Sequence, residues 1–215
     1  MSLVNAEQEL QVIGDPLAAA LLPVLMHRLN NATQVLQALN AMLATGERQR
    51  VLAARCGDLV SAGETIDEVG WLLAVLASAC GADLLLARRE RDGLAGVLAA
   101  VREAVRREGR ELARGPDALP RLAPEFGDGW RVPWAIGTWI HVGAIALPER
   151  SSLEWDVRPR EGGSEVRCRV PAHASRDALE QRVREQLPDA AFRRAHDEHA
   201  LLLPRDALCW EREAS

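Results

Sequence analysis

Residues 15–46 read DPLAAALLPVLMHRLNNATQVLQALNAMLATG, and the spacing of their apolar residues decides the fold. Asp15 can cap free backbone N–H groups and Pro16 suits the first helical position, so a helix starts here. From there Ala18, Leu22, Leu25, Leu29, Ala32, Leu36, Leu39 and Leu43 recur at alternating spacings of four and three. That is a heptad seam, and it ends near Thr45-Gly46. Pro23 falls inside it and is expected to kink the helix one turn before His27.

Working outward, a second helix is predicted from Glu47 to Cys80, with Leu52, Leu59, Ala62, Ile66, Val69, Leu73, Leu76 and Cys80 on its seam and a weak spot at Gly57 and Gly63. A link of a residue or two around Gly46 demands an antiparallel helical hairpin. Two helices alone leave apolar surface outward, which a second hairpin covers in a dimeric four-helix bundle. A homodimer is therefore expected, the alternative being that the rest of the chain covers the hairpin.

The remainder reads differently. Leu84 to Arg91 is helix or connector, and Leu94, Val97, Leu98, Val101, Val105 and Leu112 mark an amphipathic helix ending near Gly115-Pro116. Prolines and glycines up to Gly129 predict a loop, and Pro133 to Leu147 a buried helix carrying Trp134, Trp139 and Ile140. Residues 153–158 and 165–170 alternate apolar and polar around a Pro159-to-Gly163 turn, which is a β-hairpin with one buried face. Ser175 caps a helix through Leu179, Val183 and Leu187, with further strands at Leu201–Leu203 and Ala207–Trp210. The fold class is thus α+β: a helical hairpin domain over 1–90 and an α/β domain over 91–215, helices on one side of a small sheet.

Composition closes several classes. The 215 residues carry 26 basic and 31 acidic groups, net −5, which argues against a nucleic-acid surface. Every basic residue is Arg. Without Lys there is no Walker A loop, no Schiff base and no kinase-type Lys. Cys56, Cys80, Cys168 and Cys209 lack CxxC spacing and read as small buried hydrophobes in a reducing compartment. Neither a leader nor a membrane span is read, so a cytoplasmic location is expected. His196-Asp197-Glu198-His199 has no evident third ligand and reads as a charged turn rather than a metal site. The Arg/Glu alternation from Arg102 to Arg114 reads as a solvated helix face, and so does Arg88 to Arg91.

His27 falls at the outermost heptad position, with Asn31 one turn on along the same face and Arg28 and Asn30 beside it. On geometry alone the plainer reading, an exposed histidine with no role, is favoured. The chemical alternative is a ring nitrogen that accepts a phosphoryl group, with Asn31 and Arg28 stabilising the charge on its oxygens.

His27-Arg28-Leu29-Asn30-Asn31 on the first helix of such a hairpin resembles the phosphoacceptor box of two-component sensor histidine kinases. The order of elements in the second half resembles their ATP-binding domain, and the likeness spans most of the chain from about residue 15. Two positions depart from the kinase pattern, Arg28 where an acidic residue usually follows the His, and Ala32 where Pro is common. The kinase nucleotide site uses Asn on its long helix and an Asp-x-Gly-x-Gly segment. No Asn follows Asn40, and Gly127-Asp128-Gly129 has the wrong spacing. Phosphoryl transfer from ATP depends on positioning and metal-assisted charge stabilisation, so losing both elements implies no autokinase activity.

The chain therefore resembles a dimeric histidine phosphotransferase, a kinase-like fold with a degenerate ATPase domain. The resemblance implies that His27, with Asn31 and Arg28, relays phosphate between receiver-domain aspartates of response regulators. It implies no cofactor of the chain's own, Mg²⁺ being held by the receiver; the charge balance and the want of a span add the expectation of neither nucleic-acid nor membrane partners. The alternatives are a non-catalytic scaffold that docks on a kinase or regulator, and a divergent autokinase.

Overall fold

The computed structural model describes residues 15–44, 48–80, 93–113, 115–116, 119–122, 130–170, 176–195, 198–204 and 207–209. Helix α1 spans Pro16–Leu43 and opens as its first residues dictate: the Asp15 carboxylate accepts the N–H groups of Leu17 at 2.9 Å and Ala18 at 3.3 Å. Pro23 is accommodated within the helix. Helix α2 spans Arg48–Ala79 and packs along α1; the link at Thr45, Gly46 and Glu47 lies outside the described residues.

Helix α3, Gly93–Arg107, buries the apolar face anticipated for it, from Leu94 to Val105. It stops earlier than expected. Gly109 adopts φ +73°, its N–H reaches the Arg106 carbonyl, and the N–H of Arg110 reaches that of Val105. This paired closure satisfies the last carbonyls and turns the chain out of the helix. Leu112 consequently lies in strand β1, Glu111–Leu112, rather than in the helix. Strand β2, Arg121–Leu122, falls within the stretch read as loop.

Helix α4, Arg131–Ile145, is buried nearly all round, with Trp134, Trp139 and Ile140 in the core. Strands β3 (Ser152–Leu153), β4 (Trp155–Arg160) and β5 (Gly163–Arg169) follow, then helix α5 (Arg176–Gln186) and strands β6 (Ala191–Arg194), β7 (Glu198–Pro204) and β8 (Leu208–Cys209). The main sheet is antiparallel in the order β4-β5-β7-β6. β1 pairs in parallel with β3, and β2 antiparallel with β8. Mixed helix and sheet make the chain α+β.

The β4–β5 hairpin is tighter than the sequence suggested. Pairing continues to Arg160 opposite Gly163, leaving only Glu161 and Gly162 in the turn. Pro159 is tolerated because β4 is an edge strand. Gly163 has φ +155°, and a side chain there would strike the carbonyl oxygen of Leu203 in β7. Strand β6 was not anticipated; its Phe192 packs on Trp139 of α4, ring centroids 5.5 Å apart.

Helices α1 and α2 and the later elements share one buried core. Leu17, Leu21, Val24 and Leu25 of α1 join Val69, Leu72 and Val75 of α2, Val97 and Val101 of α3, and Trp134 and Ile136 of α4. Trp134 donates its Nε1–H to Asp15 at 3.2 Å, tying α4 to the first turn of α1. Gly93 lies against the ring of Trp71, where any Cβ would clash.

Several expectations are corrected. Leu22 of the predicted seam is 39% exposed, because α1 at that level turns Leu21 and Val24 toward α3 and α4 instead. Cys56 and Cys209 are exposed, and only Cys80 and Cys168 are buried; all four are free thiols. His199 lies buried in β7 rather than in a charged turn, while His196 and Asp197 lie outside the described residues. Leu84–Arg91, Gly127–Gly129 and Ser175 also lie outside them. Among the described residues no helix is long and apolar enough to cross a membrane, and no three His, Cys, Asp or Glu side chains group to hold a metal ion.

Candidate functional site

His27 lies on α1 with its side chain exposed, one turn after Pro23. Asn31, also exposed, follows one helical turn on, and its Nδ2 stands 3.2 Å from His27 Nε2. When the amide donates, the Nε2 lone pair accepts, and the ring proton sits on Nδ1. That arrangement leaves Nε2 as the unprotonated ring nitrogen. Asn30 is exposed beside it, and Met26, at 45% exposure, supplies an apolar rim.

Arg28 points away from this pair. Its Nε–H donates to Glu103 Oε2 of α3 at 3.1 Å, and its Nη1 reaches Glu68 Oε1 of α2 at 3.5 Å. The Arg28 side chain is 20% exposed and that of Glu103 18%. The other Glu103 oxygen accepts from Arg107 Nη2 at 3.1 Å, and Arg107 Nη1 donates to the Pro23 carbonyl at 3.3 Å. That carbonyl lies four residues before His27, where an α-helix places the acceptor of the histidine's N–H.

The structure therefore brings His27 and Asn31 together and directs Arg28 into a three-helix ionic cluster. Glu68, Glu103 and Arg107 were not singled out from the sequence, and Glu103 was read as part of a solvated face. One signal was present: Gly93, Gly96 and Ala100 form a small-residue stripe on α3 beside Glu103 and Arg107. Such a stripe marks close approach of another helix, which removes neighbouring charges from free solvent.

A second histidine is fully enclosed. His141 of α4 places Nε2 at 3.2 Å from Glu108 Oε1, where a buried imidazole secures a polar partner. It stands apart from the exposed pair and is read as structural.

No family model matches the chain, and no curated protein does. Among solved structures the chain is similar to a bacterial phosphotransferase, at 13% identity and a TM-score of 0.34, over 86% of this chain and 94% of that one. It is also similar to full-length ShkA in complex with AMPPNP, at 16% identity and a TM-score of 0.38, over 88% of this chain and 46% of that one. Less than half of that longer protein is thus spanned. Identity and TM-score are low in both, so the functional reading rests on this chain's own residues.

Proposed function

We propose that this protein is a histidine phosphotransfer protein that accepts a phosphoryl group on His27 from a receiver-domain aspartate and donates it to another. The observation that carries the reading is the exposed His27 with Asn31 Nδ2 3.2 Å from its Nε2. In the transfer step Nε2 attacks phosphorus, the N–P bond forms, and the P–O bond to the receiver's carboxyl breaks. The electron pair leaves on the aspartate carboxylate, and Nδ1 keeps its proton. The Asn31 amide, displaced from Nε2 by the new bond, can donate to a phosphoryl oxygen. Mg²⁺ belongs to the receiver, and the chain needs none of its own.

The proposal includes a dimer built on the 1–90 hairpin. In each long helix one heptad row is buried within the chain and the other is left open. On α1 the row Leu25, Ala32, Leu39 is buried, whereas Leu22 is exposed and Leu29, Leu36 and Leu43 are half-buried. On α2 the row Ala62, Val69, Leu76 is buried, whereas Leu52 and Leu59 are 47% and 42% exposed and Ile66 and Leu73 half-buried. A second hairpin covers the open rows, as a four-helix bundle requires. Residues 91–215 are proposed as a degenerate ATPase-like unit, and autokinase activity is not expected. A cytoplasmic location belongs to the same proposal.

The test is to incubate the protein with a phosphorylated receiver domain and Mg²⁺ and follow the label. Label is expected on the wild-type chain, acid-labile and base-stable, and absent from His27→Ala. Transfer that survives His27→Ala overturns the proposal. Binding of receivers with the label remaining on the receiver and none on this chain favours the non-catalytic scaffold.

A further inference from the structure

We propose that Arg28 is a positioning residue: by joining Glu103 of α3 and Glu68 of α2, it latches the later half of the chain to the turn of α1 that carries His27. The latch itself rests on geometry alone; its consequence for phosphotransfer rests on the reading of His27 given above.

Three helices meet at this point, each contributing a charged side chain. The Arg28 guanidinium spans two carboxylates that come from different helices, 40 and 75 residues away in sequence. Glu103 in turn uses both oxygens, one for Arg28 and one for Arg107, and Arg107 returns to the Pro23 carbonyl of α1. The chain of contacts thus leaves α1 at Arg28 and re-enters it at Pro23, enclosing the turn that holds His27. Charge-assisted hydrogen bonds of this kind, partly withdrawn from water, are stronger than surface ion pairs. A guanidinium held this way is withdrawn from the phosphoryl oxygens, so Arg28 acts through the placement of α3 rather than by touching the transferred group.

Latching has a mechanical consequence. A nucleotide-binding unit that phosphorylates a histidine on its own hairpin must move to reach it. Here the later half is held to the hairpin by the shared core around Leu21, Val24 and Val101 and by the ionic cluster beside His27. The two halves then present His27 with one fixed set of flanking surfaces, and a docking receiver pays no ordering cost for them.

Native thiols allow a test that needs no phosphoryl donor. Cys80, at the end of α2, is buried and close enough to Asp15 to feel its charge, and Asp15 is tied to Trp134 of α4. Burial and that charge both raise its thiol pKa, so it reacts slowly in the folded chain. Cys168 lies fully buried in the sheet core, and desolvation raises its thiol pKa far more strongly; it reports global unfolding.

Labelling with a neutral thiol reagent is expected to be about tenfold faster at Cys80 in Arg28→Ala, with Cys168 still protected, as local opening of one seam predicts. Glu103→Gln should give a similar rise, and the double variant no more than either alone. Unchanged Cys80 labelling in Arg28→Ala overturns the latch, and so does a parallel rise at Cys168. Transfer assays separate the two roles of Arg28. If its guanidinium contacted the phosphoryl group, Glu103→Gln would free it and leave transfer intact while Arg28→Ala abolished transfer. The latch predicts equal losses from both. Should His27→Ala leave transfer unaffected, the phosphotransfer reading fails while the thiol result still decides the latch.

Discussion

The packed pair of helices α1 and α2 has two ends that obey different physics. From Leu17 to Arg28 on α1 and from Glu68 to Cys80 on α2, side chains pack against α3 and α4, and Leu17, Ala18, Leu21, Val24 and Leu25 are all essentially inaccessible. Beyond Asn30 only Ala32 and Leu39 of α1 are buried, and between Arg48 and Ser61 of α2 no residue is. His27 stands at the boundary. One end is a piece of the shared core, while the other is a two-helix pair with an open apolar row. His27 thus has a packed core on one side and open solvent on the other.

The largest expected effect lies at the embedded end. Leu21→Ala removes a fully buried side chain at the contact of α1 with the later half, and should cost about 2–5 kcal/mol in urea denaturation. A loss under about 1 kcal/mol would mean that this end packs no more tightly than the distal one.

Asp15→Ala comes next. It removes both the cap on α1 and the acceptor for Trp134, and should cost about 1–3 kcal/mol, with a shift in the intrinsic fluorescence of the buried tryptophans. Asp15→Asn keeps a capping oxygen and should recover part of that loss.

The smallest effect on the single chain is expected at the distal end, where Leu59→Asp should change its own stability by no more than about 0.5 kcal/mol. The same change should convert a two-chain species to one in sedimentation velocity, because it charges the open row of α2. The parent's melting temperature should rise with protein concentration and the variant's should not. Parent and variant sedimenting alike would remove the dimer from the proposal.

Much of the fold was legible because the responsible forces are local. The Asp15-Pro16 start, the heptad spacings and the alternation in residues 153–158 depend only on neighbours three, four or two positions away. The exposed pairing of His27 with Asn31 was legible for the same reason, since one helical turn sets it. The premature end of α3 at Gly109 was missed because the apolar spacing continues to Leu112 in sequence while a left-handed residue redirects the backbone. Strand β6 was missed because its four residues form an exposed edge, on which only Phe192 reaches the core.

By itself the sequence determined the two long helices, the β-hairpin, the direction in which His27 faces and the want of Asn beyond Asn40. Tertiary structure alone decided that Leu22 faces outward, that Glu103 meets Arg28 across 75 residues, and that Cys80 is buried while Cys56 is exposed. The division has a physical reason. Helical periodicity fixes which residues share a face, but a charged side chain at the edge of that face is solvated or paired according to which distant helix arrives opposite it.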